Sequence, residues 1–162
     1  MTSLLRSALI AFASCGCGLP AAAAQPVVVS DAWVRAPAPG QKVAAAYMEL
    51  TSRVNLSLVA VASPAAASVE LHNTAVEEGV MKMRPVGRIE LPAGKPVKLA
   101  PGGLHAMLVD LKQPLKTGDK VLLTLTVQRP DAASRSIFTV QAVVRDGPSE
   151  KPHLHRALPQ SF

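Results

Sequence analysis

Between Val27 and Arg145 the chain offers no long amphipathic helix; short β-prone runs alternate with Pro, Gly and Asn. Runs of that length and spacing indicate an all-β fold, a Greek-key barrel or sandwich. The expected strands are Val27–Arg35, Val43–Thr51, Ser57–Ser63, Ser68–His72, Val80–Arg84, Val97–Leu99, Leu104–Leu111, Val121–Val127 and Phe138–Arg145. Between them, Ala38-Pro39-Gly40, Pro92-Ala93-Gly94, Pro101-Gly102-Gly103 and Thr117-Gly118-Asp119 read as turns.

Both ends differ from this pattern. Residues 1–24 read as a signal peptide: a basic start to Arg6, an apolar stretch Ser7–Cys17, then small residues Ala21–Ala24, with Gln25 the first mature residue. The apolar stretch is too short for a permanent membrane span. Cys15 follows Phe12-Ala13-Ser14, which offers a lipidation site. The aliphatic residue usual three places earlier is Phe here, so a lipid-anchored form is the lesser expectation. Both cysteines, Cys15 and Cys17, fall in this leader, and the mature domain, residues 25–145, is expected to fold without thiol or disulfide. Residues 146–162, DGPSEKPHLHRALPQSF, hold three prolines and mixed charge and read as a flexible tail. The net charge of +6 is scattered, and one Trp, one Tyr and three Phe supply no stacking stripe, which argues against nucleic-acid binding. A monomer without a membrane span is expected.

The chemistry concentrates in GGLHAMLVDL, residues 102–111. Side chains alternate along a strand, so His105 and Met107 share one face while Leu104, Ala106 and Leu108 fill the other. By the same alternation Glu70 and His72 share a face, as do Met81 and Met83. Three neighbouring strands therefore aim His72, Met83, His105 and Met107 at one patch near a sheet edge. Two imidazoles and two thioethers carry no charge and offer little to Mg²⁺ or Ca²⁺; Zn²⁺ gains little from thioether, whereas Cu(I) accepts both donor types. Outside the cytosol such donors avoid the oxidation to which thiols are liable. Imidazole must be neutral to bind a metal, so affinity for Cu(I) is expected to fall on acidification through the ordinary imidazole range, near pH ~6.5. Met81 is expected to pack. His153 and His155 form an accessory pair that suits Cu(II); deleting residues 147–162 is expected to remove that equivalent alone.

The run His72, ten residues, Met83, twenty-one residues, His105-Ala106-Met107 resembles the His-x10-Met-x21-His-x-Met signature of the periplasmic copper chaperone family called PCuAC. The stretches DAWVRAPAPG, AAAYMEL, VELHNT, GVMKMRPV, LPAGKPVKLAPGGLHAMLVDL and LKTGDKVLLTLTV are similar too, so the likeness spans residues 27–145. It implies a cupredoxin-like β-barrel that binds one Cu(I) at His72, Met83, His105 and Met107 in the periplasm. It also implies delivery to the dinuclear copper centre of cytochrome c oxidase, beside Sco-type proteins, and no enzymatic activity. The chain departs from the family at Thr51-Ser52-Arg53-Val54-Asn55-Leu56, where an Asn-Gly turn is usual.

Other readings stay open. A storage or tolerance protein would use the same donors. A structural β-sandwich would bind no metal. A copper enzyme would need an acid or base, for which Glu70 and Glu90 are the only plausible neighbours. A blue-copper protein is excluded by the lack of a mature Cys.

Overall fold

The computed structural model describes residues 26–131 and 134–147; the expected signal peptide, the cysteines and the tail histidines lie outside these residues. Among the described residues there are ten strands and no helix. They are β1 (Val27–Arg35), β2 (Val43–Ser52), β3 (Leu56–Ala62), β4 (Ala66–Glu77), β5 (Val80–Pro85), β6 (Ile89–Leu91), β7 (Pro96–Leu99), β8 (Leu104–Leu111), β9 (Lys120–Gln128) and β10 (Arg135–Arg145). β1 and β8 have the bounds their alternation predicts.

Two differences from the sequence expectation matter. β6 has only three residues, Ile89-Glu90-Leu91, too few to show a period, and exists by pairing with β3. β4 runs five residues past His72. That extension, Asn73–Glu77, has no buried residue and is held as a strand by β5, through a two-residue turn at Glu78-Gly79. Both turn residues have positive φ, 53° and 79°, the geometry that matches the twist of a tight hairpin. Glu-Gly is a weaker turn signal than Asn-Gly or Asp-Gly.

The strands form one sheet in the order β5-β4-β8-β2-β1-β10-β9-β3-β6, with β7 on the second half of β2. β2 pairs β8 through Val43–Ala46 and β7 through Met48–Thr51, so the sheet divides along it. Every strand except β5 sends side chains into a single core that includes Val34, Leu50, Leu58, Leu71, Leu91, Leu99, Leu108, Leu123 and Val144. A sheet whose strands all face one core must curl around it. The strands at the two ends of this order, β5 and β6, are not bonded to each other, so the curled sheet stays open rather than closing as a barrel.

A bulge in β1 sets up the other face. Ser30 pairs Glu49 and Trp33 pairs Tyr47, so Asp31 and Ala32 together oppose one residue of β2, with Asp31 at φ 47°. Without the extra residue Ala32 would stand opposite Tyr47; the bulge puts Trp33 there instead. Arg145 donates to the Asp31 carboxylate at 2.9 Å and braces the bend. At the departure from the family pattern, buried Ser52 closes the turn: its hydroxyl donates to Val54 O, and its carbonyl accepts from Gly94 N at 2.7 Å.

Candidate metal centre

On the face of β5-β4-β8-β2-β1 that points away from the core, four rings stand in a row. His72 pairs His105 directly across β4 and β8. Their ring centroids are 5.8 Å apart, edge to face at 89°. The His105 ring lies 6.3 Å from Tyr47, which lies 4.6 Å from Trp33. These separations are those of interacting rings. Trp33, Tyr47 and His105 are buried, a small cluster outside the main core. The opposite face of β8 buries Ala106 and Leu108 in the core, as the alternation predicts.

The row explains why an imidazole is only 3% exposed on an outward face. His105 Nδ1–H donates to Gly103 O at 2.9 Å, and the same carbonyl accepts from Thr74 N at 3.1 Å. The turn before β8, with Gly102 at φ +83°, thus ties His105 to β4. With Nδ1 engaged as donor, Nε2 keeps the lone pair. His72 is arranged differently: its Nε2 lies 3.0 Å from Glu70 Oε2, and its Nδ1 is buried with no hydrogen-bond partner. Burial raises the Tyr47 phenol above its ordinary 10.0, outweighing the opposite effect of the Arg35 charge.

The methionines flank this pair. Met107 stands opposite Glu70 and Met83 opposite Thr74, both on the face that carries His72. Each is therefore a diagonal neighbour of His72, about 7–8 Å away between backbones and within reach of a long side chain. The two lie on opposite diagonals, so His72 stands between them. Met107 is half-buried; Met83, on the edge strand, is 49% exposed.

The structure brings all four sequence-singled residues to one face and corrects two other readings. Met81, expected to pack, is 66% exposed on the same face as Met83, because β5 has no layer above or below it. Glu90 lies on β6, at the other end of the sheet, bonded to Ser57 and Arg88; of these two carboxylates it is Glu70 that lies against a histidine, His72. Tyr47 and Trp33 were not singled out. The only signal for them was the strand alternation of AAAYMEL, and the β1 bulge hides the match with Trp33. Among the described residues no three His, Cys, Asp or Glu side chains are grouped to hold an ion.

The profile of the family described as "Putative lipoprotein LpqE-like" matches residues 27–142. The chain belongs to the LpqE-like family. A curated relative, "Putative lipoprotein Lxx21020" of Leifsonia xyli subsp. xyli, is 37% identical over 136 residues, covering 76% of this chain and 82% of the relative. Among solved structures, the copper-bound PCuAC domain from PmoF2 superposes with a TM-score of 0.60 at 26% identity, covering 76% of this chain and 95% of that domain. The solution structure of CuI-DR1885 from Deinococcus radiodurans has a TM-score of 0.55 at 36% identity, covering 77% and 82%. This LpqE-like chain therefore has the fold of the PCuAC domains, as the sequence implied.

Proposed function

We propose that this LpqE-like protein is an exported copper chaperone that carries one Cu(I) on His72, Met83, His105 and Met107. The observation that carries the reading is the abutting His72–His105 pair with one thioether on each diagonal. Each ring has one nitrogen bonded to an oxygen, and His72 Nδ1 is buried without a partner. Two soft sulfurs and two imidazoles suit a cuprous ion, and similarity to copper-bound PCuAC domains supports the same cargo. The partly exposed Met83 leaves one side of the site open to an acceptor, which suits transfer better than storage.

Delivery to the dinuclear copper centre of cytochrome c oxidase, directly or through a Sco-type protein, is the destination the resemblance supports. The periplasm is the compartment. Lipidation at Cys15 gains weight from the family's description; incorporation of labelled palmitate that Cys15→Ser abolishes would establish an anchored form. The His153/His155 pair is proposed as a separate Cu(II) site.

The deciding experiment is anaerobic titration of residues 25–162 with Cu(I) against a chromophoric chelator. One equivalent is expected in the wild type, with weaker binding in each single Ala variant of the four residues. Unchanged affinity in all four would refute the site. Oxidase activity in a deletion strain, low and restored by added copper, tests the destination.

A further inference from the structure

Glu70 shares its face of β4 with His72 and stands opposite Met107. Its carboxylate lies 3.0 Å from His72 Nε2, while its own side chain remains 54% exposed. A carboxylate only accepts, so Nε2 must donate, and a neutral imidazole has only one proton to give. The lone pair of His72 then sits on Nδ1, the buried nitrogen without a partner. His105 has the reverse arrangement, its Nδ1 proton committed to Gly103 O.

We infer that Glu70 is a positioning residue for copper: it fixes the Nε2–H tautomer of His72, so that His72 takes Cu(I) through Nδ1 while His105 takes it through Nε2. The inference rests on the copper site proposed above. Register gives it a second support. Met83 and Met107 are both diagonal neighbours of His72 but lie on opposite sides of it. An ion that reaches both sulfurs must stay close to His72. Nδ1 is the ring nitrogen nearer the backbone, and coordination through it keeps the ion over β4, between the diagonals. Coordination through Nε2 would move the ion outward and would require the bond to Glu70 to break. A carboxylate on the far nitrogen also makes the ring a better donor.

Two readouts test this, one independent of metal. Long-range ¹H–¹⁵N spectra of the metal-free protein are expected to show His72 as the Nε2–H tautomer in wild type and in Glu70→Gln, whose amide oxygen also accepts. A mixture is expected in Glu70→Ala. Competition with a chromophoric chelator is expected to show Cu(I) affinity reduced roughly 10- to 100-fold in Glu70→Ala and largely restored in Glu70→Gln. The half-exposed position of Glu70 predicts that both variants stay folded. A wild-type tautomer and affinity in Glu70→Ala would overturn the inference while leaving the copper site standing. Failure of the wild type to bind Cu(I), with its tautomer as expected, would overturn both.

Discussion

The donors differ in what they do for the fold, and that difference is measurable without copper. His105 is 3% exposed, donates to Gly103 O at 2.9 Å and packs between His72 and Tyr47. Replacing it by Ala removes a hydrogen bond worth about 1 kcal/mol and opens a cavity in the ring row. Together these should cost about 2–3 kcal/mol, below the ~3–5 kcal/mol of a large aromatic truncated in a main core. For a domain of this size that is a fall in Tm of about 8–12 °C. Met83 is the opposite case: half exposed, on a strand with no member in the core. Met83→Leu keeps the bulk, removes the sulfur, and should change stability by less than ~0.5 kcal/mol. Urea unfolding of the metal-free proteins, followed by far-ultraviolet circular dichroism, measures both. Equal stability of His105→Ala and wild type would refute the claim that the row is a packed unit. A loss in Met83→Leu as large as that in His105→Ala would refute the claim that β5 lies outside the core.

Three further outcomes follow. Tyr47, the only tyrosine, has its pKa raised by burial; the folded state holds its proton more tightly, so the benefit is intact below pH ~10 and lost as pH rises through the folded value. Phenolate absorbance should thus appear at higher pH in folded than in urea-unfolded protein, with stability lower at pH ~11 than at pH ~9. Trp33, the only tryptophan, reports on the site through Tyr47 and His105: its emission should change on Cu(I) addition, saturate at one equivalent, and stay constant in His72→Ala/His105→Ala. Met81→Leu should leave stability within ~0.5 kcal/mol and Cu(I) affinity within about twofold, as measured by chelator competition.

What the sequence makes legible follows the period of two. Alternation gave the bounds of β8, the face shared by His105 and Met107, and the pairing of Glu70 with His72 on one side. Alternation names a face but not a position along it; only the register places Met83 and Met107 on opposite diagonals of His72. The extension of β4 was hidden because Asn73–Glu77 owes its strand conformation to β5 and the Glu78-Gly79 turn rather than to burial. The Trp33–Tyr47 contact was hidden because a one-residue bulge shifts the parity of β1. Met81 misled because methionine at alternate strand positions usually fills a core, and β5 has none to fill.

That bare edge strand gives the site a direction. Detaching β5 from β4 costs hairpin hydrogen bonds and the solvent-exposed pairs of Glu77 with Lys82 and Arg84, which stabilise little, and no core burial. Local fraying of this kind requires far less free energy than global unfolding. A passenger ion on this surface would part first from the sulfur of Met83, while both imidazoles stay fixed by strands rooted in the interior. Departure would then proceed from the rim inward, one bond at a time.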